Sequence, residues 1–331
     1  MKKVYLQKGK YSLSEDIKAR LEKIFDPKHE IVIKIHFGEP GNKTAFKVED
    51  IEPITSYLKK IGYKIVLFDS PVVYPSKRNT ESGYKEVAFK KGFDKLGEIV
   101  ISNEGESFKS KDYKGEVCRV LTEAKNVLVI SHVKGHPQTG YAGAVKNLGM
   151  GGVTSKTKGI IHDLSIPKYD SEKCTGCGLC AKYCLAGVIS IKEGKARFNS
   201  KDCWGGSLCT FVCPNGCFTD DKLGFDDALA QAAIEVIKRL SGNVCYINFL
   251  KNITKLCDCE VDAGEIIADD VGLLFSECPV AIDKASVDII NKQSKEEVFK
   301  KIWIRDPLLH VKLAAKYLDC PFDYVLENIS Q

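Results

Sequence analysis

Residues 30–68 read EIVIKIHFGEPGNKTAFKVEDIEPITSYLKKIGYKIVLF, and they predict a strand, a helix and a second strand. The runs EIVIKI (30–35) and YKIVLF (63–68) are rich in β-branched residues and do not alternate with polar ones, which is typical of strands covered on both faces. Between them, apolar residues recur at three- and four-residue steps over 48–61 and stop before Gly62, which indicates one helix with a C-terminal glycine. This stretch therefore predicts a parallel α/β sheet.

The same pattern occurs on both sides of a cysteine-rich segment. EIVI (98–101) and NVLVI (126–130) precede the segment, and NVCYINF (243–249) and VGLLF (271–275) follow it. All four runs are short and continuously apolar, so we predict that they are buried strands.

Two helices are predicted after the cysteine-rich segment. An apolar stripe begins at Phe225 and ends near Gly242, and Asp306 followed by Pro307 is a suitable N-cap and first turn for a helix that ends near Leu318.

We predict an α/β fold in which helices flank a mostly parallel sheet. Residues 1–168 and 219–331 form one split domain, and residues 169–218 form a small α+β insert. Three serial domains are the alternative, although the last segment offers only two convincing strands for a core of its own.

The composition and charge of the chain indicate a folded protein and exclude several other classes. The chain has 331 residues, 44% of them hydrophobic and 28% charged, which is typical of a folded protein. The net charge of +5 is small, and the lysines are spread along the chain, so we predict no nucleic-acid partner. No run of about eighteen uncharged apolar residues occurs, and the opening MKKVYLQKGKY lacks an apolar core, so neither a membrane span nor a secretory signal is predicted.

The cysteines are concentrated in one segment. Eight of the 14 lie between Cys174 and Cys217, where CTGCGLCAKYC (174–184) and CWGGSLCTFVC (203–213) superpose at every cysteine except one, which Gly206 replaces. Short regular spacing is typical of metal thiolates rather than of a secreted disulfide scaffold. We therefore predict a cytoplasmic location, with a local disulfide knot or a zinc site as alternatives.

The first repeat has the C-x2-C-x2-C-x3-C spacing of bacterial iron–sulfur proteins. In that architecture the fourth cysteine of each run binds the other cluster. One 4Fe-4S cluster would then bind Cys174, Cys177, Cys180 and, by crossover, Cys213, which Pro214 follows.

The second repeat lacks one thiol. Its cluster would bind Cys203, Cys209 and, by crossover, Cys184, while Gly206 supplies no ligand. Three thiolates hold either a 3Fe-4S cluster or a 4Fe-4S cluster with one open iron. Cys217 is either a buried packing residue or a replacement ligand.

The segment from Tyr169 to Phe218 resembles a two-cluster bacterial ferredoxin domain. It departs from that domain at Gly206 and at Leu185, where a proline would follow the fourth cysteine. The resemblance implies a pseudo-twofold pair of hairpins and helices around the clusters, and it implies electron transfer.

Polar side chains follow three predicted strands, at the ends where ligands gather in parallel sheets. His36 follows the first strand, Asp69 and Ser70 follow the second, and the stretch SHVKGHPQTGYAGAVKNLGMGG (131–152) follows a third. Imidazoles and amines at one rim suit acid–base chemistry or an additional divalent metal ion. The predicted catalytic residues are His36, His132, His136, Lys134 and Lys146.

Glycines in the same stretch permit close backbone approach, so their amides could hold an anionic cofactor. The predicted cofactor-binding residues are Gly140, Gly143, Asn147 and Gly149. The usual nucleotide-binding loops are absent, and a tight glycine loop that packs under the insert is the alternative.

A second cysteine motif, CDCEVDAGE (257–265), lies in a polar loop between two predicted strands. Its alternating thiols, Cys257 and Cys259, either bind a metal, form a redox pair or are buried structural thiols. Further candidates at the next strand end are Glu277, Cys278 and Asp283.

The 131–152 and 257–265 stretches, with DVGLLFSECPVAIDKASVDII (270–290), resemble the iron–sulfur centre proteins built on the domain of unknown function numbered 362. The resemblance covers nearly the whole chain and implies a ferredoxin insert between two halves of that domain. More faintly, residues 131–152 are similar to lactate-racemase-like domains. The rim residues that the family resemblance implies are His132, Lys134, His136, Lys146, Asn147, Asp270 and Asp283.

These patterns predict an iron–sulfur protein that transfers electrons to a site on the α/β domain, a possible iron–sulfur oxidoreductase. Its expected partner is a redox protein or a small-molecule substrate. The alternatives are a non-catalytic electron carrier or adaptor and a metal-dependent isomerase or hydrolase with structural clusters.

Overall fold

The computed structural model describes residues 1–240 and 242–329, so positions 241, 330 and 331 of the predicted 219–331 segment lie outside the described residues. Its strands are, in chain order, β1 (Lys2–Lys8), β2 (Ile31–Lys34), β3 (Ile65–Asp69), β4 (Glu98–Ile101), β5 (Gly105–Lys109), β6 (Lys114–Cys118), β7 (Asn126–His132), β8 (Lys134–His136), β9 (Gly140–Ala142), β10 (Pro167–Tyr169), β11 (Ile189–Lys192), β12 (Lys195–Phe198), β13 (Phe218–Asp220), β14 (Asn243–Leu250), β15 (Ile253–Thr254), β16 (Ile266–Ala268), β17 (Gly272–Ser276) and β18 (Tyr324–Asn328).

The α-helices are α1 (Glu15–Ile24), α2 (Val48–Lys60), α3 (Glu81–Lys90), α4 (Arg119–Glu123), α5 (Ala144–Gly151), α6 (Ser155–Leu164), α7 (Leu179–Tyr183), α8 (Leu208–Val212), α9 (Phe225–Arg239), α10 (Pro279–Ser294), α11 (Val298–Trp303) and α12 (Leu309–Leu318). Among the helices of the described residues, none is long and apolar enough to cross a membrane.

One eight-stranded sheet organises the chain, in the order β18-β1-β17-β14-β7-β2-β3-β4. Neighbouring strands are parallel except where β17 pairs with β1 and β14. The prediction of an α/β fold with a mostly parallel, helix-flanked sheet is confirmed. Strands from before and after the cysteine segment enter this one sheet.

Both faces of the sheet are buried, as the continuously apolar strands predicted. Ile31 and Ile33 of β2 pack on one face with residues of α1, α2 and α3. Val32 packs on the other face with residues of α5, α9, α10 and α12. Successive strand side chains point to opposite faces, so only a run without polar alternation can supply both cores.

Two strands and one helix start differ from the prediction. β1 and β18 add one edge to the sheet, and their exposed ends hide the apolar pattern. The last helix begins at Leu309, because the Asp306 carboxylate accepts the amide N–H of Leu308 at 3.0 Å and so stabilises a turn before the helix. Asp306 is therefore not the N-cap of α12.

The cysteine segment forms a small body of its own secondary structure. Strand β10 pairs with β13 and β11 pairs with β12, both antiparallel. Each of the two five-residue helices carries one cysteine, Cys180 in α7 and Cys209 in α8. The segment packs closely on α6. At Gly205, whose φ is +68°, an added Cβ would lie 2.1 Å from the carbonyl oxygen of His162.

Helices α5 and α9 pack at a glycine. An added Cβ at Gly149 would lie 2.7 Å from both the Cδ1 and the carbonyl oxygen of Leu229. An added Cβ at Gly159, within α6, would have no heavy atom within 4 Å.

We expect Gly149→Ala to lower the free energy of unfolding by about 1–3 kcal/mol, because the backbone of α9 must move to make room. Gly159→Ala is the matched control and should raise it by about 0.5–1 kcal/mol, since alanine loses less entropy in a helix. Urea unfolding checks both variants, and equal effects would show that the α5–α9 approach is not tight.

Candidate functional site

A cavity of about 680 Å³ lies between the cysteine segment and the carboxyl ends of neighbouring sheet strands. Strands β7, β2 and β3 are adjacent in the sheet, and the residues at and after their ends line the cavity. Polar groups that are far apart in sequence therefore meet, as expected for the ends of parallel strands. The predicted rim residues that line the cavity are His36, His132, Lys134, His136, Lys146 and Asn147.

His36 lies against the thiol of Cys259. The amide N–H of Gly38 donates to Nδ1 of His36 at 3.0 Å, and Cys259 Sγ lies 3.6 Å from Nε2. The guanidinium of Arg78 lies 2.8 Å from the same nitrogen and is also paired with Glu39. Arg78 therefore lies close enough to act on the Cys259 sulfur, although Glu39 balances its charge.

His132 and Lys134 share a buried carboxylate, Asp258. His132 Nδ1 lies 2.8 Å from Asp258 Oδ2, Lys134 Nζ lies 3.7 Å from Oδ1, and His132 Nε2 lies 2.7 Å from the carbonyl oxygen of Lys251. Burial acts to raise the pKa of Asp258, but His132 and then Lys134 outweigh it and hold that pKa below its usual value. His132 also stacks on Phe46, so it positions the 257–260 loop rather than facing the cavity freely.

His136 is buried in the hairpin of β8 and β9. The amide N–H of Gln138 donates to its Nδ1 at 3.2 Å, which leaves the ring proton on Nε2. Burial, and then the nearby charge of Lys146, hold the pKa of His136 well below its usual range. The imidazole is therefore neutral at physiological pH and is a donor or an acceptor rather than a cation.

Lys146, on α5, supplies a positive charge to the cavity. Its charge acts on Cys259 and on His136, and it has no hydrogen bond or salt bridge to another described residue. The other cavity lysines are held: Lys34 by Asp69 and Asn147, and Lys158 by the carbonyl oxygens of residues 70 and 71. Lys146 is thus the cation best placed to bind an anionic ligand.

The sequence prediction missed three cationic residues of this site. Lys34 is fully buried beside Asp69, Arg78 is fully buried beside Glu39, and Lys158 donates three hydrogen bonds. Burial lowers the pKa of Lys158 to about 8. The sequence could have indicated Lys34, because it is the one charged residue inside EIVIKI after the first position. Arg78 and Lys158 lie in polar stretches, where a charged residue does not stand out.

The glycine-rich stretch packs closely and does not present free amides. The N–H groups of Ala144 and Val145, at the start of α5, donate to the Asp283 carboxylate at 2.7 and 2.8 Å. An added Cβ at Gly143 would lie 2.3 Å from Asp283, and one at Gly140 would lie 2.9 Å from Pro307. Protein atoms fill the space beside Gly140 and Gly149, whereas Gly143 lines the cavity, and the prediction that these glycines hold a cofactor stays a prediction.

The other predicted candidate residues lie apart from the cavity. Asp270 accepts hydrogen bonds from Asn252 and Tyr11, Asp283 is buried below α5, and neither Glu277 nor Cys278 lines the cavity. Burial raises the pKa of Asp283 to about 6. The interpretation of Asp270 and Asp283 as rim residues is corrected accordingly.

The cysteines of the segment form two groups. Cys174, Cys177, Cys180 and Cys213 line one small pocket together with Cys217, so the fourth cysteine of the second repeat lies with the first repeat. The amide N–H of Cys217 donates to Cys213 Sγ at 3.3 Å. Cys217 therefore lies with the first group, and this placement disagrees with the alternative that it replaces the missing thiol of the second.

The second group lines the large cavity itself. Cys184, Cys203 and Cys209 border it together with Gly206. An added Cβ at Gly206 would have only Trp204 within 4 Å, no closer than 3.6 Å. The position that lacks a thiol thus adjoins the same space as Lys146 and Cys259.

Within residues 1–240 and 242–329, no group of three or more histidine, cysteine, aspartate or glutamate side chains has the arrangement of a metal-ion site. The thiols of a cluster bind different iron atoms and need not converge on one point. The predicted additional divalent metal ion therefore has no described set of ligands.

Comparison with known proteins relates the chain to one family. The family model described as "Domain of unknown function (DUF362)" matches residues 31–288. No curated protein matches the chain.

Two solved structures are similar at low identity. One is a protein from Thermotoga maritima, with a TM-score of 0.46 and 11% identity over 94% of this chain and 60% of that one. The other is the lactate racemase apoprotein from Thermoanaerobacterium thermosaccharolyticum, with a TM-score of 0.35 and 13% identity over 75% of this chain and 50% of that one. The chain thus spans only about half to three fifths of the length of these proteins.

We expect Asp258→Asn to lower the free energy of unfolding by about 3–5 kcal/mol, because His132 and Lys134 would lose their buried counter-charge. Asp269→Asn, at an exposed aspartate of the same region, is the matched control and should change it by less than about 0.5 kcal/mol. Urea unfolding at neutral pH measures both, and equal stability of the two variants would contradict this role for Asp258.

Proposed function

The chain belongs to the DUF362 family, and we propose that it is an iron–sulfur redox enzyme whose small anionic substrate binds in the cavity between the cysteine segment and the sheet. One observation carries the proposal. The second cysteine group, with its missing thiol at Gly206, lines the same cavity as His36, Lys146 and Cys259. Groups suited to electron transfer and groups suited to binding and proton transfer therefore face one space.

The donor set of the first group suits a 4Fe-4S cluster. Cys174, Cys177, Cys180 and Cys213 have the spacing and the crossover that such clusters require, and they line one pocket. Two amide N–H groups, those of Gly176 and Ala196, donate to Cys174 Sγ at 3.4 and 3.3 Å. Donation of this kind stabilises a thiolate ligand.

The donor set of the second group suits a cluster with three thiolate ligands, of the 3Fe-4S or the 4Fe-4S type. Cys184, Cys203 and Cys209 supply these ligands. Gly206 supplies none, so the side of the cluster that faces the cavity would have no thiolate ligand. When bound, clusters of this kind accept and release electrons one at a time.

The α/β side of the cavity binds the substrate. Lys146 attracts an anionic group, such as a carboxylate, because the other cavity cations are already paired or hydrogen-bonded within the protein. His136, neutral and with its proton on Nε2, donates a hydrogen bond to the substrate. The proposal thus divides the cavity into an electron-transfer side and a binding side.

A redox partner protein supplies the electrons and contacts the face where the first group reaches the surface. Cys177 is exposed there, and Leu179 and Ile191 beside it are each 37% exposed. Exposed apolar side chains around a redox centre suit a transient electron-transfer contact.

We expect anaerobically reconstituted protein to contain iron and sulfide in both cysteine groups. Cys180→Ser and Cys209→Ser should each remove the signal of one group in electron paramagnetic resonance, before and after dithionite. Cys320→Ser, at a half-buried cysteine outside the segment, is the matched control and should retain both signals. Colourless protein that binds only zinc would overturn the proposal.

We expect Gly206→Cys to convert the second cluster to full thiolate ligation. Residue 206 has room for a side chain, so the variant should fold and its iron content should rise by up to about one atom per chain. The spectrum of the second group should change while that of the first stays the same. An unchanged second signal with the new thiol still free to alkylation would show that residue 206 does not adjoin the cluster.

A further inference from the structure

We propose that Cys257 and Cys259 form a redox-active thiol pair that reduces the disulfides of small anionic thiols in the cavity. The reaction of the pair with a disulfide stands on the geometry of the α/β part alone. The return of the pair to the dithiol by one-electron transfers rests on the proposed function.

The pair lies in the loop between β15 and β16, and a hydrogen bond between the two side chains shifts the pKa of each. Both cysteines line the cavity, but Cys259 is half-buried whereas Cys257 is only 6% exposed. Cys259 is therefore the more accessible of the two to a ligand.

The loop that carries the pair is fixed from three sides. The amide N–H of Glu39 donates to the carbonyl oxygen of Asp258 at 2.8 Å, and the side-chain amide of Asn42 donates to the carbonyl oxygen of Glu260 at 2.7 Å. The Asp258 side chain, between the two cysteines, is held by His132 and Lys134. The two sulfurs therefore keep their relative position without a covalent bond.

The surroundings divide the roles of the two thiols. The hydrogen bond from Cys257, with His36 and Lys146 beside it, outweighs burial and holds the pKa of Cys259 well below its usual value. The same hydrogen bond, together with burial, raises the pKa of Cys257. Cys259 is thus the attacking thiolate and Cys257 is the resolving thiol, which is the division that thiol–disulfide exchange requires.

Charged and titratable groups face Cys259 from every element around it. Those from other elements are His36, Glu39, Tyr74, Arg78, His136 and Lys146. Those on its own loop are Cys257, Asp258 and Glu260. Arg78 is paired with Glu39, so the positive charge that acts on the sulfur from the cavity side comes from Lys146.

The thiol–disulfide exchange needs only the substrate disulfide and the two protein thiols. The Cys259 thiolate attacks one sulfur of R–S–S–R, so that a Cys259–S–S–R bond forms and RS⁻ leaves. The thiol of Cys257 then gives its proton to a departing thiolate and attacks the Cys259 sulfur, so that the Cys257–Cys259 disulfide forms, the S–S bond to the second RS group breaks and that group leaves. The products are one protein disulfide, one RSH and one RS⁻, and two electrons have passed from the protein to the substrate.

Two small disulfides test the reaction and its charge preference. Dithiodiglycolate carries two carboxylates and cystamine carries two amines, and the cavity is large enough for either. With reduced, anaerobic protein, we expect peptide mapping to find a Cys257–Cys259 disulfide that forms about tenfold faster with dithiodiglycolate. Lys146→Gln should abolish that preference.

Cysteine variants separate the two roles. Cys257→Ser should accumulate a mixed disulfide at Cys259, and Cys259→Ser should not react. Cys278→Ser is the matched control, because Cys278 Sγ lies 3.6 Å from Cys320 Sγ but outside the cavity, and it should react like the unchanged protein. A Cys259→Ser variant that still forms mixed disulfides at the normal rate would overturn the proposal.

A second measurement needs no cysteine variant. Alkylation of Cys259 by iodoacetamide, followed by peptide mapping across pH, should keep its full rate well below pH 8.5, the usual pKa of a free thiol. A midpoint near 8.5 would also overturn the proposal.

The two proposals fail separately. Protein that binds no iron but still forms the Cys257–Cys259 disulfide would retain the thiol pair and end the proposed iron–sulfur function. Protein with both clusters and an unreactive Cys259 would do the reverse.

Discussion

A buried carboxylate, Asp258, holds together the parts of the chain that form the cavity. It pairs with His132 at the end of β7 and with Lys134 of β8, while its backbone carbonyl accepts a hydrogen bond from Glu39 in the loop after β2. Charges buried to this extent are stable only when they are paired. The ion pairs of Asp258 therefore hold the loop that carries it in one position. That position places Cys257 and Cys259 at the cavity wall and brings Cys259 against His36. The candidate site is therefore held together by the ion pairs of Asp258 with His132 and Lys134, and all three residues also line the cavity.

The fold places Gly206, where the repeat lacks a thiol, at a location that the repeat alone does not predict. The pocket of the first cysteine group is lined by residues of its own segment, among them Phe218 and Ile191. The second group lies where the segment packs on the α/β part, and it borders the large cavity. A difference of one residue between two otherwise similar repeats thus coincides with the side of the segment that faces the sheet. This coincidence supports a division in which one group serves electron transfer and the other adjoins the substrate, and it is the reason for preferring an enzyme to a simple carrier.

Part of the site could be predicted from the sequence because parallel strands end at a common edge. His36 and His132 meet at one cavity for that reason, and Lys134, His136 and Lys146 line it from the stretch that follows β7. The same logic could not find Arg78, which contacts His36 from a turn, or Lys158, which reaches the cavity from α6, because neither has a strand end to mark it. It also predicted too many ligand-binding glycines, because the sequence does not distinguish a glycine that lets a ligand approach from one that lets a helix approach. Gly149 is of the second kind, and the amides near Gly143 are used by Asp283.

By itself, the sequence determined the α/β class, the buried central strands, the membership of a family and the two cysteine repeats, because each depends on local periodicity or spacing. The tertiary structure alone decided which side of the cysteine segment faces the sheet, which buried charges pair, and which thiols share a cavity. Those outcomes depend on contacts between residues more than 100 positions apart, such as His132 with Asp258 and His36 with Cys259. Such contacts form only when burial requires a partner for each charge, and no pattern within one stretch of sequence records that requirement.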